Sequence, residues 1–474
     1  MIQDPAFSRD MSVVLTNKSE SHGTTKSTRL SEVSAISVFC SAIIIKLFHR
    51  LSAQIMNIGI IGLGDMGCVY AKSFAKSGYR VFGCDLPHRM EMLRIELAPF
   101  GIDVLEDGKE VSRISDVIFY SVEAERIAEV VQLYGSYTKH GAIVAGQTSV
   151  KHPEIEAFEK YLPKDAQIIT CHSLHGPGFE PKGQKMIVIP HRTNKEAYQR
   201  MTDLLSELGS VINEIPDYHE HDKIVADTQA VTHMGFESMG TAWKEAGFFP
   251  WENASYLGGI DNVKILITLR IFSYKAHIYG GLAILNPYAR HQIKRYAESE
   301  SELFKLMIKE EEDAFRKRLY QARDFIFGKD HKPLMLDEKV MQEFSLSAGS
   351  ESRKPNSHLS LLSMVDAWHH LKVNPYDNLI CQTPPFRLRL GIAEYLFKNE
   401  DLLEESINAA LFDKTIRGDD LEFHSAVREW SSIIVYGDME GYKQHFDQVK
   451  SFFSERLDQG RIQSAELIRK LQME

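Results

Sequence analysis

The stretch "IGIIGLGDMGCVYAKSFAKSGYRVFGCD", residues 58–85, decides the fold. Ile58, Ile60 and Ile61 form a β-branched run suited to a strand buried on both faces. Gly62, Gly64 and Gly67 then take the G-x-G-x-x-G spacing: one glycine for a tight turn, one for backbone approach to a pyrophosphate, one for helix–strand packing. A helical stretch through Val69 and Phe74 ends at Gly78, placed as a C′ glycine. A second strand, Tyr79 to Cys84, closes on Asp85, where an acidic residue would hold a ribose 2′-hydroxyl. Glycines recur in any tight turn, but a strand before and a helix, strand and acid after make a dinucleotide cradle the better reading. Its cofactor-binding set is Gly62, Leu63, Gly64, Asp65, Met66, Gly67 and Asp85, with Arg89 close behind.

The chain has 474 residues, room for two or three domains, with 43% hydrophobic and 25% charged residues, as in a soluble globular protein. A net charge of −10 argues against a nucleic-acid binder. Cys40, Cys68, Cys84, Cys171 and Cys381 show no paired spacing, which favours free thiols in a reducing compartment such as the cytoplasm and gives no metal signature. The apolar run "VSAISVFCSAIIIKLF", residues 33–48, is interrupted by Lys46 and too short for a membrane span. Asp4, Asp10, Glu20 and Glu32 are out of place in a mitochondrial presequence. With Met56 directly before the first strand, residues 1–55 read as a poorly ordered, dispensable extension. A native N-terminus well before Met56, found by mass spectrometry, would overturn that expectation.

From 56 to 215 strand-like runs (117–122, 142–146, 167–171, 185–190) alternate with helical patterns, the arrangement of a parallel sheet covered by helices. Beyond 215 the strand signal stops, and long helical periodicities run over 221–243, 263–285 and 292–327. "FSLSAGSESRKPNSH", 344–358, reads as a loop or linker before a helical remainder. The expectation is α/β: an N-terminal Rossmann-type parallel sheet (56–215), a helical substrate and dimerisation domain (216–343) and a helical C-terminal region (344–474).

Two strand ends carry polar clusters. One holds Gln147, Thr148, Ser149 and Lys151; the next holds His172, Ser173 and His175. A histidine at the carboxyl end of a parallel strand faces the cofactor crevice, and His172 could take a proton from a hydroxyl as hydride leaves the adjacent carbon. Ser149 could orient it or bind the same oxygen; His175 reads as an ordinary loop residue. Arg270 sits inside the apolar "VKILITLRIFS", where a buried guanidinium needs an anion, internal or from a carboxylate substrate. Gln229 and His233 share a helix face. Capping by His221-Asp222 and core packing by the rest is as good a reading there as substrate contact.

The blocks "IGIIGLGDMG", "GQTSVKHPEIEAFEKYLPKD", "HSLHGP", "HDKIVADTQAVTH", "LRIFS" and "NSHLSLL", in this order, resemble the prephenate dehydrogenases of fungal type across nearly all of 57–474. The resemblance implies oxidative decarboxylation of prephenate to 4-hydroxyphenylpyruvate, on the route to tyrosine, with a nicotinamide reduced. It implies a homodimer. By position it makes His172 the base, Ser149 its assistant, Arg270 the grip on a prephenate carboxylate and His233 a pocket residue. Bacterial members carry His-Pro where this chain has His172-Ser173, and a second histidine where Ala230 stands. The resemblance also implies NADP; Asp85 alone suits NAD, while His88 and Arg89 stand where a 2′-phosphate could be met. Arogenate remains an alternative substrate.

Two other readings compete. In β-hydroxyacid dehydrogenases a catalytic lysine lies in G-x-G-x-x-x-K-x-x-x-N; Gly176, Gly178 and Lys182 mimic its start, but Met186 replaces the asparagine. A catalytically silent nucleotide sensor would keep the glycines and have no use for Ser149, His172 and Arg270 together.

Overall fold

Eight strands form one sheet in the order β3-β2-β1-β4-β5-β6-β7-β8 in a computed structural model of the chain. The structure describes residues 56–256, 258–328, 336, 354–377 and 383–473. The N-terminal extension, Cys40 and Cys381 lie outside them. The strands are β1 (Asn57–Ile61), β2 (Arg80–Cys84), β3 (Ile102–Val104), β4 (Val117–Tyr120), β5 (Ile143–Gly146), β6 (Gln167–Ser173), β7 (Lys185–Arg192) and β8 (Val211–Glu214). Short β3 and β8 do not stand out in the sequence because neither is long or apolar enough.

The sheet is parallel throughout except at β6–β7, which pair antiparallel from Ile168↔Arg192 to Ser173↔Met186. The uniformly parallel sheet expected from alternation is corrected here. No helix separates these two strands, so the chain doubles back and has no crossover to carry it to a parallel start. Strand order reverses between β1 and β4, and the crevice at the carboxyl ends beside that point is where such sheets bind ligands.

Helices α1 (Asp65–Lys76), α2 (Met90–Leu97), α3 (Gly108–Ile114), α4 (Ile127–Tyr134), α5 (His152–Tyr161) and α6 (Lys195–Ser206) alternate with the strands. Eleven described helices follow β8. They are α7 (Tyr218–Glu245), α8 (Gly259–Phe272), α9 (Ala276–Leu285), α10 (Pro287–Ile308), α11 (Glu312–Ile326), α12 (Leu359–Leu371), α13 (Pro384–Lys398), α14 (Glu400–Phe412), α15 (Arg417–Tyr436), α16 (Met439–Phe452) and α17 (Leu457–Met473). Two stretches that read as single long helices are each broken. After α8 the Ser273 hydroxyl donates to the Arg270 carbonyl, 2.7 Å, diverting a helical acceptor. After α10 Glu310 adopts φ 55°, and Glu310 and Glu311 N–H turn back onto Met307 and Leu306, a left-handed cap.

Helix α7 is the axis of the helical part, packed by α8, α10, α12, α13, α15 and α16. It is buried nearly all round although much of its sequence is polar, so each polar group needs a partner inside the protein. Asp227 accepts from Gln292, Thr241 from the Trp430 indole at 2.9 Å, and Glu237 from the Tyr442 hydroxyl at 2.6 Å. His233 Nδ1 and Ser238 Oγ are left over. Residues 354–358 are non-helical, as a linker would be, yet Asn356, Ser357 and His358 are buried. Ser357 donates to Asp420 and Asn356 to the Ser255 carbonyl, tying this segment into the helical core. Among the described residues no helix is long and apolar enough to cross a membrane.

Candidate active site

The glycine loop is built as its spacing requires. Gly62 stands at φ 97°, and a Cβ there would meet the Ser121 carbonyl oxygen at 2.4 Å. On Gly67 it would lie 2.0 Å from the Gly62 carbonyl oxygen, so helix and turn touch backbone to backbone. On Gly64 it would meet no protein atom within 4 Å: the open side of the cradle. Gly64 is also the N-cap of α1 and offers no side chain to the first N–H groups, which leaves them to an anion. Leu63 is buried over Gly83 and holds the loop to β2, while Met66 is half-buried and Asp65 is exposed beside Lys275.

Asp85 has a different task from the expected one. Its Oδ2 accepts the Leu63 N–H at 2.7 Å and the Arg89 Nη1 at 3.0 Å, while Oδ1 accepts the Leu86 N–H at 2.7 Å. With these contacts filled, the carboxylate props the glycine loop and is neutralised by Arg89, so it does not stand as a free acceptor for a ribose hydroxyl. Arg89 remains a third exposed and lines, with Gly64, Lys72 and Pro177, a cavity of about 430 Å³ beside the loop. His88 is exposed on the same turn.

His172 ends β6, 8% exposed, and its Nδ1 lies 2.9 Å from His221 Nε2 in the first turn of α7. His221 Nδ1 in turn lies 2.8 Å from Asp222 Oδ1. The same carboxylate accepts the Lys151 and His152 N–H groups, both at 2.8 Å, so it acts only as an acceptor. This assigns both tautomers. Asp222 takes the Nδ1 proton of His221, the His221 Nε2 lone pair takes the Nδ1 proton of His172, and His172 Nε2 is left with a lone pair. Burial, then His221, Lys151 and His175, hold His172 well below the ordinary histidine range, so it is neutral at pH 7. Burial also lowers His221, against the pull of Asp222. The helix cap itself is Asp217, which accepts from His219 N–H. Capping by His221-Asp222 is therefore corrected.

Of the β5-end cluster, Lys151 and Thr148 are structural. Lys151 is fully buried and donates to Glu154, Thr170 and the Cys171 carbonyl, the last at 2.6 Å, clamping the backbone just before His172. Thr148 bonds the same Glu154 carboxylate at 2.6 Å. Tyr70 fixes the strand end from the other side through Ser173 at 2.7 Å. Ser149 is half-buried on the loop between, and no hydrogen bond joins it to His172. Gln147 accepts from Ser121 and keeps a buried Nε2 without a partner. His175 bonds its neighbour's carbonyl, and Lys182 is exposed on the β6–β7 loop while Met186 is buried in β7.

Arg270 is 7% exposed on α8, with Ser464 at 3.4 Å as its hydrogen-bond partner and Tyr274 beneath its guanidinium. A second arginine, not singled out from sequence, shares its situation: Arg389 of α13, 3% exposed, donates to Thr232 at 3.3 Å and has an unpartnered Nε. Among the described residues neither makes an ion pair. Burial lowers Arg389 to about 10, with Tyr279 opposing and Arg270 adding to the fall. His233, edge-on to Tyr279 at 4.9 Å, is held well below the usual range by burial and by Arg389. Glu237 is pushed by burial to about 8, so near neutral pH it is mostly protonated and cancels neither arginine. Arg270, Arg389 and His233 therefore mark a buried, cationic, anion-seeking end of the site. His233 lies about three turns of helix, on the order of 18 Å, from His221.

Two family models match: a 6-phosphogluconate dehydrogenase C-terminal domain over residues 230–473, and an NADP oxidoreductase, coenzyme F420-dependent, over 57–145. A Saccharomyces cerevisiae protein named prephenate dehydrogenase (NADP+) is 47% identical over 421 residues, 87% of this chain and 93% of that one. The chain belongs to the prephenate dehydrogenase family. A Schizosaccharomyces pombe relative, named probable prephenate dehydrogenase (NADP+), is 44% identical over 88% of this chain and 98% of its own. Among solved structures, prephenate dehydrogenase from A. aeolicus with hydroxyphenyl propionate and NAD+ aligns at 18% identity and a TM-score of 0.45, covering 56% of this chain and 96% of that one. Family membership bears out the fungal-type resemblance and sets aside the hydroxyacid dehydrogenase reading.

Proposed function

We propose that this chain converts prephenate to 4-hydroxyphenylpyruvate and carbon dioxide with NADP as oxidant, using His172 as base and Arg270 as carboxylate anchor. The reaction and cofactor are those named for relatives at 44–47% identity. The observation that carries the site assignment is the His172–His221–Asp222 chain at the strand end, which presents one free imidazole lone pair.

The cofactor fits the residues present. Gly62, Gly64 and Gly67 with the α1 N-terminus would hold its pyrophosphate, and Arg89, with Asp85 turned to the loop, would meet a 2′-phosphate. When bound, the nicotinamide accepts a hydride from the hydroxyl-bearing ring carbon. His172 Nε2 takes the hydroxyl proton as that hydride leaves. Asp222, through His221, stabilises the cation formed on His172. The bond to the ring carboxylate then breaks, its electron pair enters the ring, carbon dioxide departs, and His172 returns the proton to the phenol oxygen. Aromatisation makes the sequence downhill, so the protein's work is orientation and one proton transfer. Ser149, with its hydroxyl not committed to His172, would donate to or accept from the same substrate oxygen, and His233 would line the far end.

Action as a homodimer in the cytoplasm belongs to the same proposal, supported by the resemblance alone; sedimentation of the purified protein tests the dimer. The central test follows absorbance at 340 nm with prephenate or arogenate, and NADP or NAD, for wild type and His172→Asn. Turnover of prephenate with NADP that collapses in the variant supports the reading; an undiminished variant overturns the base assignment.

A further inference from the structure

We infer that Arg389 is a second substrate anchor, pairing with Arg270 to hold a dicarboxylate end. This rests on the proposed reaction and deepens it. An arginine 3% exposed, without a carboxylate partner and with Nε unpaired, is unfavourable in an empty protein. Structural arginines in this chain are not built so: Arg318 bonds Asp366 through both Nε, at 2.7 Å, and Nη2, at 2.8 Å. Arg389 has the fork and no internal anion to fill it.

Its surroundings point to the same ligand. Helix α13 packs on α7 and α8, the helices bearing His233 and Arg270. Arg389 and Arg270 are near enough for each to be felt by the other, and both by Tyr279. With Glu237 mostly neutral, this end of the site carries two uncompensated positive charges. Prephenate bears two carboxylates on substituents of one ring carbon, across the ring from the hydroxyl that His172 would deprotonate. Two fixed cations remote from the base therefore match two anions remote from the hydroxyl, in number and position. A single arginine would leave one carboxylate desolvated and unpaired. Phe236, under the Arg389 guanidinium at 5.9 Å, and Thr232 keep the fork in place without neutralising it.

The test compares wild type, Arg389→Met and Arg389→Lys for prephenate turnover with NADP, for NADP affinity by fluorescence titration, and for melting temperature. Arg389→Met is expected to raise KM for prephenate on the order of 10- to 100-fold, the loss of a charged hydrogen-bonded contact. NADP affinity should stay within twofold and kcat within a few-fold. Its melting temperature without substrate should hold or rise, because an unpaired buried charge is gone. Arg389→Lys should recover only part of KM, having charge but no fork. An unchanged KM in a folded Arg389→Met protein overturns the inference, as does a fall in melting temperature with prephenate KM unaffected in Arg389→Lys, which marks a structural arginine. Failure of wild type itself to turn over prephenate instead overturns the proposed reaction, so the two failures are distinguishable.

Discussion

Asp222→Asn isolates the step by which a carboxylate two residues removed from the substrate sets the strength of the base. Hydrogen bonds of 2.8 and 2.9 Å and the width of the His221 ring place the Asp222 carboxylate about 8 Å from the far side of His172. At an effective dielectric near 20 a unit charge pair at that separation is worth about 2 kcal/mol. The amide removes this support for the His172 cation, so kcat should fall about 30-fold. The sign on pH follows. An anion raises the pKa of a nearby histidine, so its removal shifts the acid limb of kcat/KM about 1.5 units lower, with a depressed plateau. Both Asp222 oxygens also accept backbone N–H groups, and an amide nitrogen must face one of them, so some melting temperature is lost as well. The assay is initial rate against prephenate from pH 5 to 9, with circular dichroism to confirm folding. A folded variant with unchanged kcat and an unmoved acid limb would show that His172 works without His221 and Asp222.

Arg89→Ser should weaken NADP far more than NAD, on the order of 10- to 100-fold in kcat/KM, because a charged phosphate contact is lost; equal losses for both cofactors would mean Arg89 serves only to hold Asp85. Gly64→Ala and Gly67→Ala should separate binding from folding: the first keeps the wild-type melting temperature and loses cofactor affinity, the second loses both, since its Cβ meets backbone at 2.0 Å. Isothermal titration and thermal melts read the pair, and full affinity in Gly64→Ala would refute the cradle. Glu237, raised to about 8 from an ordinary 4.5, stabilises the fold fully below pH 4.5 and loses that contribution as pH rises through 8. Each unit is about 1.4 kcal/mol, so the loss by pH 8 is on the order of 4 kcal/mol. Glu237→Gln, which keeps an acceptor for Tyr442, should therefore melt higher than wild type at pH 8 and no higher near pH 4; a pH-independent gap would show that Glu237 is already ionised in the fold.

The sheet was legible where local chemistry suffices. β-branched runs and the glycine spacing imply strands, turn and helix within thirty residues, and no distant contact can undo them. The antiparallel β6–β7 pair was not, because strand direction depends on whether a helix intervenes, and the polar loop 174–184 has no period to announce either way. His221 shows a deeper limit. "HD" near the start of a helix reads as a cap, and only the fold brings β6 against α7 so that His221 meets His172 across 49 positions. Asp222 looks like a surface acid until two N–H groups of the β5–α5 loop are found on it.

Arg389 lies within reach of sequence, although nothing there singles it out at first sight. Arg270 stands out as a guanidinium on an apolar helix face, and "PPFRLRLGIAEYLFK" poses the same problem. Phe386 and Ala393 lie three and four residues from Arg389, on its own face, whereas Arg387 points away and is exposed. What sequence could not supply is that the two arginines stand at the same place, since they come from helices more than a hundred residues apart. Once both are seen without internal partners, their unfavourable burial has a common explanation: the missing anions belong to the substrate. A cluster whose charges balance only with ligand bound is less stable empty than a neutral core would be, and that is the physical reason substitutions there should raise melting temperature while lowering affinity.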